Sequence, residues 1–228
     1  MPATPLPPSG DVPKAKTCDA SGMAEIHRMF RSGFAEAPDL IGRVAEGDTA
    51  HAQVVADQLA LLSVALHAHH EGEDERLWAP LAERAPSCAV HVERMKQHHA
   101  ELLVHLKAMD AALPAWRRSA EATDAVAVQA AIDGINRALA VHLPDEEANI
   151  VPVMETVMTP DEVEWFAEHG RKATPKGQTW NSLGAIVTSQ PDGGDAWLHK
   201  NLPGPVRLLW RFVGKPRYEK HRAALEGR

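Results

Sequence analysis

Two short patterns in the chain pair an imidazole with a carboxylate one helical turn apart: His69 with Glu73, and His142 with Glu146. At that spacing both side chains leave the same side of an α-helix, with Cβ atoms about 5–6 Å apart. They can close on one cation, or the carboxylate can bridge two. His27 and His99 stand among apolar residues at helical spacing and point to the same interior. Burying an ionisable group is costly unless it is paired or bound to metal. Four histidines and two carboxylates on one interior therefore describe a metal site. Histidine is abundant throughout, with 13 residues beside a single tyrosine, Tyr218, in 228.

The donor set narrows the metal. Cys18 and Cys88 are too few for a thiolate zinc or iron–sulfur site. Four imidazoles exclude the all-oxygen shells of calcium and magnesium. Mixed imidazole and carboxylate suits iron, manganese or zinc. Six protein ligands, two of them able to bridge, suit a pair of metals a few ångströms apart. Ferritin-like carboxylate proteins use Glu-x-x-His, a spacing that occurs nowhere in this chain.

Four long helices must position these groups. The first is predicted from about Ser21 to Ala45, with Met23, His27, Phe30, Phe34 and Ile41 on one face. The second, about Ala50 to Arg84, turns Leu59, Leu62, Leu66, His69, Glu73, Leu77 and Leu81 inward. The third runs from about Cys88 to Leu113, where Pro114 is expected to stop it, and buries Val92, Met95, His99, Leu102 and Leu106. The fourth, about Ala120 to Val157, buries Ile132, Ile135, Leu139, His142, Glu146, Ile150, Val153 and Val157. No stretch shows sustained strand alternation, so the class is all-α. Short loops between long helices predict an up-down-up-down antiparallel four-helix bundle over residues 21–158. Residues 1–20 read as a solvated, disordered tail. Residues 159–228 read as an extension of short helices packed around the bundle, at about 160–169, 178–189 and 203–227, the last interrupted by Gly214 and Pro216. Pro144, two residues after His142, predicts a kink that re-aims His142 and Glu146. His70 aligns with His67 and Asp74, and His98 with His91 and His105, on polar faces, so both are expected outside the ligand set or in solvent. The run Glu71–Glu75 is expected to be solvated except for Glu73.

With 44% hydrophobic and 24% charged residues, general disorder is excluded. No uninterrupted apolar run approaches the roughly 18–20 residues of a membrane span, and the first residues lack the apolar stretch of a secretory signal. A cytoplasmic protein with reduced thiols is expected. Residues 199–228 carry eight basic and two acidic side chains, a net of +6 within a chain whose total is −7. This segment is expected to dock on its own acidic bundle. The other reading is an output surface for a membrane or nucleic acid through Arg207, Trp210, Arg211, Lys215 and Arg217, with Leu208, Leu209, Phe212 and Val213 as packing residues. Nothing in the sequence identifies a definite nucleic-acid or membrane partner.

Taken together, the pattern resembles the hemerythrin-like, or HHE cation-binding, family. The residues that carry it are His27 within IHRMFR, HHEGEDERLW from His69, HHAEL around His99, and HLPDEEANIVPV from His142, over roughly residues 20–158. EWF, LPGPVRLLWRFVG and Tyr218 further resemble C-terminal extensions on some actinobacterial members. The resemblance implies a non-haem, carboxylate-bridged di-iron centre, with an iron–manganese pair as the variant. It implies Glu73 and Glu146 as bridges, His27 and His69 on one ion, and His99 and His142 on the other. The function it implies is binding of O2 or a related small oxidant, peroxide or NO, at an open iron position, served by a separate redox partner. The alternatives are a di-iron peroxidase, a catalase-like or NO-metabolising enzyme, and an oxygen or redox sensor with the basic segment as output. Two departures stand out. Oxygen carriers of the family place an extra histidine four residues from the third-helix ligand, where this chain has Met95 and Leu103. Their fourth-helix carboxylate is Asp at i+5 instead of Glu146 at i+4. A missing ligand would open a further position, which Tyr218 or His98 could fill, and would tilt the reading toward an enzyme.

Overall fold

A computed structural model describes residues 15–228. Four long helices carry the architecture: α1 (Gly22–Gly42), α2 (Thr49–Arg76), α4 (Ala89–Ser119) and α5 (Ala122–Asn149). Their packing closes a ring, α1 against α2, α2 against α4, α4 against α5 and α5 against α1. The α1–α2 and α4–α5 turns lie together at one end, where Gly47 N–H donates to the Ala120 carbonyl at 3.2 Å. This is the antiparallel bundle expected from the sequence.

Two of the long helices break before their predicted ends. A short helix α3 (Trp78–Arg84) follows α2 after a break at Leu77, and α6 (Val151–Val157) follows α5 after a break at Ile150. Pro80 and Pro152 have no N–H to give the carbonyls of Arg76 and Ala148, so the hydrogen-bond ladder fails there. Pro144 lies inside an unbroken α5, so the interruption comes after Glu146, not beside His142. Pro114 likewise fails to stop α4, which continues to Ser119. Leu113 and Trp116 are buried in the core, and their packing outweighs one lost backbone hydrogen bond. The helix ends instead at Ala120, whose left-handed φ of 51° caps it.

The expected solvated tail falls largely outside the described residues. Within them, the Thr17 hydroxyl donates to the Met158 carbonyl at 2.6 Å, and Ala20 is fully buried. The extension comprises α7 (Pro160–Ala173), α8 (Thr179–Thr188), α9 (Asp195–Asn201), α10 (Gly204–Leu209) and α11 (Lys215–Leu225). Of these, α9 was not foreseen. A π-helical turn, Trp210–Gly214, joins α10 to α11 where an interruption was expected. A Cβ on Gly214 would collide with Trp180 and Trp210, which is why glycine serves there. A capping box, Thr159 with Glu162, starts α7, and α7 lies along α2. Gly72 is what admits it: a Cβ there would stand 3.2 Å from His169 and 3.5 Å from Trp165.

The stretch Thr49–Arg84 is long and apolar enough, by length and composition, to cross a membrane. Half of that window is buried, and the stretch carries His69, His70 and Glu73, which fits the core helix of a bundle.

Candidate metal centre

The interior of the bundle is two apolar clusters separated by a polar layer. One gathers Phe30, Phe34, Leu66, Leu102, Leu139 and Leu143. The other gathers Met23, Leu77, Trp78, Met95, Ile150 and Met154. On each long helix the inward histidine or glutamate lies between a residue of the first cluster and one of the second. His27 falls between Met23 and Phe30, Glu73 between Leu66 and Leu77, His99 between Met95 and Leu102, and Glu146 between Leu143 and Ile150.

All six residues singled out from the sequence meet in this layer. His27, His69, Glu73 and Glu146 form one group whose ligand atoms lie within 4.8 Å of one another. The second group is His70, His99 and His142. His70 is therefore a correction: it is 6% exposed and its ring stacks on His99 at 4.1 Å between centroids. Neighbouring residues of a helix point about 100° apart. His69 turns toward α1, with Nε2 3.1 Å from Nε2 of His27, while His70 turns toward α4. A single-stripe reading of α2 has room for only one of them. The His70–Glu73 pair at i, i+3 was the available signal.

Glu73 faces both groups. One carboxylate oxygen lies 3.3 Å from His69 Nε2, and the other lies 3.3 Å from His99 Nε2. Glu146 reaches both through a single oxygen, 3.4 Å from His27 Nε2 and 3.5 Å from His142 Nε2. Yet both oxygens of Glu73, both of Glu146, Nε2 of His70 and of His99, and both ring nitrogens of His142 are buried without a hydrogen-bond partner. So many unpaired polar atoms aimed into one space are costly, and cations among them would relieve that cost. Neutral imidazole and carboxylate donors fit two borderline metal ions.

Burial sets the protonation of the chain alone. It holds His69 and His70 well below the ordinary histidine value, with neighbouring imidazoles adding to the effect. Burial and the same neighbours push His142 down to about 2. These rings stay neutral, the form that binds metal. Burial and the facing Glu73 raise Glu146 to about 8. Burial also raises Glu73.

An outer pair of carboxylates was missed in the sequence. Asp74 lies 3.0 Å from His99 Nδ1 and accepts from Trp78 Nε1 at 2.6 Å. Glu147 lies 2.9 Å from His27 Nδ1 and accepts from Arg31 at 2.9 Å. Each acid directly follows an inward glutamate, at i+5 from His69 or His142. With Nδ1–H held by the acid, Nε2 presents its lone pair to the interior. The run Glu71–Glu75 thus contributes two residues to the centre.

Tyr218 is elsewhere. Its hydroxyl lies 3.0 Å from Thr188 Oγ1, and it packs in a separate cluster with Trp210 and Val187. His98 belongs to neither group; its ring centroid is 5.8 Å from that of His142. Met95, at the carriers' extra-histidine spacing, is a core residue. On α2, His70 instead joins His99 and His142 in a group able to hold a metal ion.

The family model for the Hemerythrin HHE cation binding domain matches residues 19–169. The chain belongs to this family. The hemerythrin match takes in most of α7 as well as the four-helix bundle. No curated protein and no solved structure gives a significant match. The histidines and glutamates of the polar layer are able to hold metal ions, consistent with the cation binding of the hemerythrin domain.

Proposed function

We propose that this hemerythrin-family bundle holds a carboxylate-bridged di-iron centre and binds O2, or a related small oxidant such as peroxide or NO, at an open position on it. The observation that supports two ions is Glu73, whose two oxygens address His69 on one side and His99 on the other at 3.3 Å each. His27 and His69 would hold one ion and His70, His99 and His142 the other, with Glu73 and Glu146 shared. The side with two histidines has fewer protein donors, and that is where a small ligand would enter. When bound, a ferrous pair supplies up to two electrons to such a ligand.

The chain's own contribution is to dry and orient the site. Phe30 lies against His69, with ring centroids 5.3 Å apart, and Phe30, Leu66 and Ile150 are fully buried. This apolar lining favours reversible binding over loss of the oxidised product to water. Asp74 and Glu147 fix the rings of His99 and His27, and Arg31 holds Glu147 in place.

The test is elemental analysis of untagged protein from iron-supplemented cells, followed by anaerobic reduction and exposure to O2. About two irons per chain, and a visible spectrum that returns to the reduced form when O2 is removed, support the reading. A species that instead turns over peroxide or NO catalytically makes the protein an enzyme. Absence of iron, or zinc that survives His69→Ala and Glu146→Ala, overturns the di-iron reading.

A further inference from the structure

The basic C-terminal segment divides into two parts. One part docks on the bundle: Arg222 pairs with Glu36 at 2.7 Å, Lys200 with Glu25 at 2.8 Å, and His221 Nε2 lies 2.9 Å from the Gln58 side-chain oxygen. The other part, residues 205–220, does not. Among the described residues, Arg211, Arg217 and Lys220 have no acidic partner, and Lys215 reaches only Glu219 of its own helix, at 3.9 Å.

The same stretch carries the main cluster of apolar exposure among the described residues. Leu208, Leu209 and Phe212 are 58%, 48% and 68% exposed. The sequence pattern had suggested that they pack inward. The other large apolar residues exposed to this degree among the described residues are single valines: Val64, Val90, Val104, Val126 and Val141. Isolated exposed apolar residues need no explanation, whereas a cluster does. Trp210 and Gly214, which alternate with them, face inward against Trp180. The π-helical turn is therefore anchored from behind and, with the end of α10, presents two leucines and a phenylalanine outward. The Arg211 guanidinium lies over the Phe212 ring at 5.5 Å.

We propose that this face, built from Leu208, Leu209 and Phe212 with Arg211, Lys215 and Arg217, docks on an anionic phospholipid surface. The headgroup region of a bilayer takes apolar side chains and cations together, which is what this patch offers. Duplex nucleic acid would engage the cations and leave the leucines and phenylalanine uncovered. A second copy could offer only the same patch in a two-fold pairing, which would bring Arg211, Lys215 and Arg217 against their like-charged counterparts. The acidic remainder of the chain, net −13 outside residues 199–228, is repelled by an anionic surface and so turns this face toward it. The inference stands apart from the metal centre.

The experiment is co-sedimentation of the full chain with phosphatidylcholine vesicles, with and without phosphatidylglycerol. Two variants accompany it, Leu208→Ser/Leu209→Ser/Phe212→Ser and Arg211→Glu/Lys215→Glu/Arg217→Glu. All six positions are exposed, so helicity and metal content serve as folding controls. The expected result is binding to the phosphatidylglycerol vesicles alone, weakened at least about tenfold in each variant and by added salt. Absence of binding, or equal binding by both variants, overturns the proposal. So does wild-type dimerisation that the apolar variant abolishes without any vesicle binding, or duplex DNA binding that the apolar variant leaves intact.

Discussion

Nδ1 of His27 stands 2.9 Å from Oε1 of Glu147, the residue directly after the inward Glu146. Asp74, directly after Glu73, does the same for His99. One helix thus supplies both a donor to the interior and the acid that orients a donor on another helix. Glu147→Gln and Asp74→Asn keep the size and lose the charge. Each should weaken metal binding by about 10- to 100-fold while leaving helicity intact. Competition against a chelator measures this, and an unchanged affinity in both would show that the outer acids serve only packing.

His70 and His98 separate the geometry from the sequence pattern. His70→Ala should lower bound metal from about two ions per chain toward one, because it removes a member of the His70–His99–His142 group. His98→Ala and Tyr218→Phe should retain the wild-type content. Metal analysis of the three purified variants decides it; loss of metal from the His98 variant alone would reverse the assignment.

Metal removal should expose a distinctive pH profile. Burial and Glu73 raise Glu146 to about 8 from 4.5, so the metal-free fold loses stability as pH rises from 4.5 through 8. Burial opposes protonation of His99, but Asp74 and Glu73 outweigh it and raise the ring to about 9, so its contribution is full below 6.5 and lost as pH rises through 9. Burial and neighbouring imidazoles lower His142 to about 2, so stability also falls as pH drops from 6.5. His69 and His70, held down by burial in the same way, add to that loss, so chelated protein should melt highest near pH 6.5. Metal displaces the Glu146 proton, so the melting-temperature gain on metal addition should grow from pH 6 to pH 8. A gain that shrinks over that range would contradict these protonation states.

Gly184 tests the extension without touching the centre. A Cβ there would overlap the ring of Tyr218, forcing α8 and α11 apart. Gly184→Ala should destabilise the protein by about 1–3 kcal/mol with metal content unchanged. Calorimetry and metal analysis on one preparation give both readouts.

Much of this cluster is legible from periodicity alone, since the six residues fall on apolar faces and the structure places them in two adjoining groups able to hold metal ions. What escaped has physical causes. A bundle helix packs against two neighbours, so its buried arc is wider than one stripe, and His70 lies on the part that faces α4. Asp74 is half exposed, which hides its bond to His99 from any reading of burial. The stop expected at Pro114 does not occur, because tertiary packing carries α4 on to Ser119, and Pro144 sits inside a continuous α5. The breaks came instead at Leu77 and Ile150, shortly before other prolines, and the peptide N–H of each donates at 2.8 Å to the carbonyl of Glu73 or Glu146.

The polar layer that divides the two apolar clusters also divides the cooperativity of the fold. The smaller cluster, around Leu77, Trp78, Leu81 and Met154, reaches the larger one only through side chains that repel or strand one another when bare. With cations in place the two should behave as one unfolding unit; without them the smaller end should open by itself. Amide exchange at Leu81 and Met154 would then follow the free metal concentration, while exchange at Ile132 and Ile135 would not. For this protein, local rigidity would then be a readout of metal supply.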